Sequence, residues 1–288
     1  MSDTATRQTT YRARSTMPLR VEFVRQLRRR RTLVAYLLVI ALPVIVSLAV
    51  KFGSEADSGR RLGSGSADLV GLATAGAANF TVTMFFFASG FLLLVIVALF
   101  CGDTVASEAS WSSLRYLLAA PIPRRRLLRQ KLIVGLTLAL GAIAVLPVAS
   151  FAIGLVAFGT DPLQSPLGAT FTASESLGRI AAIGLYIFVS LLFAAGIAFL
   201  MSVLTDAPLG AVGAAVVLVI VSNILNAIDA LGSLREWLPT HYAQAWLDLL
   251  GTDIAWTDMA RGAAYSVVWC SLCVAYAVFR FDRKDIVS

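Results

Sequence analysis

The chain has 288 residues, 58% of them hydrophobic and only 14% charged, with a net charge of +7 and a mean hydropathy of +0.80. Folded in water, such a mixture leaves large apolar patches uncovered, so a bilayer is the solvent it asks for and a soluble globular domain is excluded. The fold class expected is an all-α polytopic membrane protein.

The opening residues, 1–15, are polar and poor in large apolar side chains, and are expected to be a disordered cytoplasmic N-terminus. They are not expected to be a cleaved signal, because the first apolar run comes late and no small-residue cleavage site follows it. Over 16–31, Leu19, Phe23 and Leu27 recur at helical spacing while Arg20, Glu22, Arg25 and 28–31 take the other positions. That pattern predicts an amphipathic interfacial helix with its arginines on anionic lipid phosphates; a plain stop-transfer flank is the simpler alternative.

Runs long enough to cross about 30 Å of hydrocarbon fall at 32–50, 80–101, 132–158, 180–204, 208–228 and 263–279, within a six-span domain of 32–279. Pro43 and Pro147 are expected to interrupt the first and third. Loop charges orient the set. The arginines before the first run (Arg7, Arg12, Arg14, Arg20, Arg25 and 28–31) outnumber Asp3 and Glu22, the loop 103–131 is basic, and the tail 280–288 is mildly basic. The loops 51–79, 159–178 and 229–262 are neutral or acidic. The positive-inside tendency then places both termini in the cytoplasm of a multi-pass cell-membrane protein. The positive charge is a topology signal and no nucleic-acid partner is implied.

Between the second and third runs lies the most informative stretch, 108–131. Glu108, Trp111, Ser112, Ser113, Leu114, Leu117 and Leu118 are helix-compatible, with Trp111, Leu114 and Leu118 on one stripe. Pro121 and Pro123 then end the helix, and Arg124 opens a basic cluster that runs to Lys131. On these residues alone, a helix that docks on a cytoplasmic partner and an ordinary basic loop remain open. The order Glu108, Leu114, Leu117, Leu118, Pro121, Arg124, Lys131 resembles the first cytoplasmic loop of ABC-2 type permeases, the membrane subunits of ATP-driven exporters. Ala109, Ser112, Ser113 and Gln130 depart from that family's pattern.

The resemblance implies a cytoplasmic coupling helix at Glu108, Trp111, Ser112, Ser113, Leu114, Leu117, Leu118, Pro121 and Arg124. It implies two ABC ATPase subunits per complex, a second copy or a related permease, membrane lipid around the spans, and export of an amphiphilic or hydrophobic substrate (drug, lipid-like or antibiotic-like). The chain itself needs no cofactor: it carries no G-x-x-x-x-G-K-[ST] phosphate loop, and none of Lys51, Lys131 and Lys284 follows a glycine. ATP and Mg would be bound by the partner ATPase subunit.

Toward the other end of the chain, Gly210, Ala211, Ala214 and Ala215 form a small-residue packing face. Asn223 and Asn226, at i and i+3, either line a substrate path or bond a neighbouring helix. The loop 229–262 carries aromatics on short apolar segments, and the resemblance casts Trp237, Tyr242 and Trp246 as an external gate; an anchored loop is the alternative. His241 is the chain's single histidine, so it is expected at a surface or interface and no metal site is expected. Cys270 and Cys273 share a C-x-x-C spacing but sit in an apolar run, where packing is the expected role. An ion-coupled secondary transporter would need ionisable groups at membrane depth, and a membrane-embedded enzyme would need an acid/base set; the six runs offer neither.

Overall fold

A computed structural model describes residues 19–56, 71–110, 123–165 and 169–283. The expected disordered segment and most of the coupling helix, including Trp111, Ser112, Ser113, Leu114, Leu117, Leu118 and Pro121, lie outside the described residues.

The helices are α1 (Leu19–Leu27), α2 (Arg30–Ala56), α3 (Ala77–Ser89), α4 (Leu92–Ser110), α5 (Arg124–Phe158), α6 (Ala173–Ser190), α7 (Leu192–Leu204), α8 (Pro208–Asn226) and α9 (Trp256–Asp282). Two 3-10 segments, Asp229–Trp237 and Ala245–Leu250, sit between α8 and α9. Six stretches are long and apolar enough to cross a membrane: Arg30–Phe52, Leu92–Ser110, Arg124–Phe158, Ala173–Leu204, Pro208–Asn226 and Trp256–Asp282. The protein is therefore an all-α multi-pass membrane protein. The shorter apolar helix α3 leads into the second span, and α6 and α7 form the fourth with one irregular residue, Leu191, between them.

α4 and α7 lie at the centre. α7 packs against α4, α8 and α9; α5 packs against α2, α3 and α4; α8 also lies on α4. Between apolar helices in lipid, close van der Waals packing replaces the hydrophobic effect as the force for association, so small residues mark the tightest crossings. A Cβ on Gly154 would stand 2.9 Å from Ala77 Cα, where α5 crosses α3, and one on Gly196 would stand 2.8 Å from Cys270 Cα, where α7 crosses α9. Cys273 is buried on that same α9 stripe, the packing role expected of the pair. On the small-residue face of α8, Ala211 and Ala215 are fully buried, whereas Gly210 is exposed and Ala214 half-buried.

Two expectations are corrected. Pro43 and Pro147 do not interrupt their helices: α2 and α5 run through them. With no water in hydrocarbon to compete for the backbone, a helix holds its bonds on either side of a proline and continues. The helices also outrun the apolar runs at their charged ends. α4 continues through Asp103 and Glu108, and α5 begins at Arg124 and carries Lys131 in its second turn.

Candidate functional site

The helix ends that carry the basic residues meet at one end of the bundle. Arg125 Nε pairs with Asp282 Oδ2 at 2.9 Å, and Arg124 Nη1 donates to the Asp282 carbonyl at 3.3 Å, tying the start of α5 to the end of α9. Beneath them lies a buried ion cluster. Lys131 Nζ stands 2.6 Å from Glu108 Oε1 and 3.7 Å from Glu22 Oε1, and donates to the Thr104 carbonyl at 3.1 Å. Arg25 Nη2 bridges the same carboxylates, 2.5 Å from Glu108 Oε1 and 2.6 Å from Glu22 Oε2. Glu22, Glu108 and Lys131 are each 1% exposed. A lone charge there is untenable, and the cluster persists because two carboxylates face two cations, with Gln26 and the Thr104 carbonyl adding further hydrogen bonds.

Burial by itself raises the Glu22 carboxyl, but Lys131, then Arg25 and Gln26, outweigh it and hold the group below its ordinary value. Burial likewise works against the Arg25 cation, and Glu22 and Glu108 more than offset it, so its pKa is raised. Next to this cluster, Arg29 and Arg31 both pair with Asp103 on α4, and Arg29 Nη1 lies 3.4 Å from Ser107 Oγ.

The segment expected to be an amphipathic helix contributes to this cluster. α1 exists, but it turns Glu22 and Gln26 into the bundle and leaves Leu19, Val21, Val24 and Leu27 exposed. Arg25 of α1, and Arg29 and Arg31 beyond its end, pair with protein carboxylates. The cause is the charged floor that α4 and α5 present, since a charge-assisted bond to a buried carboxylate is stronger than one to a hydrated headgroup. The apolar side of α1 then faces outward, where acyl chains can cover it.

Of the residues the sequence singled out for coupling, Glu108 and Arg124 are described. Glu108 is joined to Lys131, 23 positions on by subtraction of their numbers, and so the two bases of the loop 111–122 converge on one buried contact. Arg124 points instead to the end of α9. Glu22, Arg25 and Asp103 complete the cluster without having been singled out as site residues; α1 lies far away in sequence, and only the surplus of arginines hinted that it needed acidic partners.

At the opposite end, a cavity of about 360 Å³ lies among Ser89 and Gly90, Ser190 and Leu191, Asn223 and Asn226 on α8, and residues 240–244. The α3/α4 joint at Gly90 and the α6/α7 joint at Leu191 thus both open on it. Ser266 Oγ donates to the Ser190 carbonyl at 3.1 Å, supplying a donor to the backbone at the α6/α7 joint. His241 Nδ1 donates to Asn226 Oδ1 at 2.7 Å, and Ser222 and Thr240 bond through their hydroxyls at 2.8 Å, so the loop is stitched to α8. Asn223 faces the same cavity and stays exposed.

The aromatic loop divides into buried and exposed parts. Trp246 is 0% exposed and Tyr242 is buried, with its carbonyl accepting from Tyr186 Oη at 2.7 Å and its ring stacked on Tyr265. Arg179 clamps the end of the second 3-10 segment, donating to the carbonyls of Leu249 and, at 2.9 Å, Gly251, with its guanidinium 3.8 Å from the centre of the Phe171 ring. Trp237, by contrast, is 68% exposed against the edge of Tyr265. Among the described residues no group of His, Cys, Asp and Glu is arranged to hold a metal ion.

Over residues 19–286 the chain matches the family described as ABC-2 family transporter protein, and it belongs to that family. No curated protein matches it. The chain is accordingly the membrane transport component of an ABC system, with ATP hydrolysis assigned in that family to a different subunit.

Proposed function

We propose that this ABC-2 permease subunit exports an amphiphilic or hydrophobic substrate, driven by two cytoplasmic ATPase subunits that bind ATP and Mg, and that it works beside a second copy or a related permease. The basic end faces the cytoplasm with both termini, in keeping with the positive-inside tendency. The stretch from Glu108 to Arg124 meets the ATPase, with Glu108, Leu114, Leu117, Leu118, Pro121 and Arg124 carrying the family register. Asn223 and Asn226 border the substrate path, and the loop bearing Trp237, Tyr242 and Trp246 caps its outer mouth.

The observation that carries this reading is the Lys131–Glu108 contact, because it joins both bases of the coupling loop to α1, α4 and α5 in one buried cluster. A push on the loop is thereby delivered to three helices at once, the rigid-body input that alternating access needs. An ion-coupled carrier is less well supported: among the described residues the buried ions Glu22, Asp103, Glu108 and Lys131 lie at one end of the bundle and are paired with opposite charges. The test is Glu108→Lys combined with Leu114→Asp. Membrane insertion should persist while capture of the ATPase subunit and ATP-driven export both fall; wild-type binding and export would refute the coupling role.

A further inference from the structure

The cavity at the far end has a composition that selects among ligands. Among the described residues no Lys, Arg, Asp or Glu side chain lines it. Arg235 lies 3.5 Å from the Asn226 carbonyl but is paired with Asp229 at 2.6 Å. What the lining does offer is neutral hydrogen-bonding capacity: Asn223 and Gln244, neither with a side-chain partner among the described residues, together with the Asn226 amide and His241 beside it. Leu94, Ile187, Phe193 and Val219 supply apolar wall on the remaining sides. A volume of about 360 Å³ is within the range of small-molecule sites, roughly 300–1,000 Å³.

We propose that this cavity recognises the uncharged, hydroxyl- or amide-bearing headgroup of an amphiphile, with Asn223 and Gln244 as its hydrogen-bonding residues. This rests on the reading of Asn223 and Asn226 as the border of the substrate path and deepens it by naming the ligand class. A cationic or anionic headgroup entering the cavity loses its hydration and meets no counter-ion, which is a penalty that a neutral polyol or amide escapes. Asn223 and Gln244 are exposed at the cavity mouth, and a neutral hydroxyl or amide replaces their water contacts in kind.

The experiment uses the full chain in phosphatidylcholine nanodiscs and three photoreactive probes that share one diazirine-bearing decyl chain: a maltoside, a trimethylammonium and a sulfate. Crosslinks are mapped by mass spectrometry and normalised to labelling of the lipid. The maltoside should label α8 and residues 240–244 at least about tenfold more than either charged probe, and Asn223→Ala with Gln244→Ala should reduce that labelling about tenfold, the loss expected of two net hydrogen bonds. Asn223→Asp, at an exposed position that tolerates the change, should move the preference to the trimethylammonium probe. Equal labelling by all three probes, or labelling indifferent to these substitutions, overturns the proposal. The assay contains no ATPase subunit and reads no transport, so selective labelling supports the site even if the exporter reading fails, and a complex that exports while showing no selectivity overturns the site alone.

Discussion

Lys131→Met is the sharpest perturbation of the ion cluster. It removes the ammonium that stands 2.6 Å from Glu108 and 3.7 Å from Glu22, at a position 1% exposed, and leaves both carboxylates to share Arg25. Breaking a buried pair by deleting one partner costs about 3–5 kcal/mol, chiefly because the other charge is left uncompensated. Arg25 already bridges both acids and is the more exposed cation, so the loss should fall near the lower limit, about 3 kcal/mol. Adding Glu108→Leu removes the stranded charge as well and leaves the Glu22–Arg25 pair intact. The double variant should therefore return to within about 1 kcal/mol of the wild type, as apolar replacement of a buried pair usually does. Unfolding in mixed micelles, followed by circular dichroism against the mole fraction of dodecyl sulfate, measures both. ATP-driven export should remain low in the double variant, because stability is restored without the contact that joins the loop bases. A single-variant loss below about 1 kcal/mol, or a double variant no better than the single, would refute the electrostatic account.

Glu22 gives a pH test. Its folded pKa lies below the ordinary carboxylate value of 4.5, so its stabilisation is complete above that value and is lost as pH falls through the lowered folded value; amide protection factors over Leu19–Leu27, corrected for intrinsic exchange, should fall on acidification, and Glu22→Gln should reduce that dependence. The two loop tryptophans should separate: Trp246→Ala, at a fully buried site, should cost about 3–5 kcal/mol, whereas Trp237→Ala should stay within about 0.5 kcal/mol, both read by the same unfolding titration. Gly196→Ala should destabilise by about 1–3 kcal/mol through overpacking against Cys270. Gly213→Ala on α8, where a Cβ meets nothing within 4 Å, should be neutral or stabilising.

Hydrophobic length made the six spans legible, because a run that must cross hydrocarbon cannot be short or charged. The ends were misjudged for the same reason. Asp103, Glu108 and Lys131 closed the apolar windows, yet helical hydrogen bonding continues wherever ions are paired, and α4 and α5 extend through them. α6 begins at Ala173, ahead of the expected 180, and the signal for it was present: Thr172 and Glu175 form a capping box, with Glu175 Oε2 accepting from the Thr172 amide at 2.9 Å. The inward face of α1 had no such local mark. An amphipathic pattern says that two faces differ and is silent on which one meets protein, and the answer depended on Lys131, far along the chain. Side-chain to backbone links such as Asn79, which donates to the Gln164 carbonyl and accepts from the Gln164 amide at 2.9 Å each, leave no periodicity to read. The same holds for His241 and Asn226, whose meeting turns a solitary histidine into part of a cavity wall.

The ion cluster and the cavity are opposite ends of the same helices, and that geometry favours transmission over local rearrangement. Leu94 lines the cavity and Glu108 sits in the cluster, so α4 spans them over a rise of roughly 21 Å. α7 runs alongside, with Leu191 at the cavity and Ser202 near the cluster, where the Ser202 hydroxyl accepts from the amides of Val105 and Ala106 at 3.0 Å each. The two helices also meet at Gly102, where a Cβ would stand in ordinary contact, 3.5 Å from Ala198 Cβ. A displacement imposed through Glu108 and Lys131 therefore moves α4 and α7 together. The joints at Gly90 and Leu191 lie beside the cavity and keep right-handed helical backbone angles, with the Leu191 and Ala195 amides each bonded four residues back at 3.0 Å, so such a displacement would be carried through them to the cavity wall.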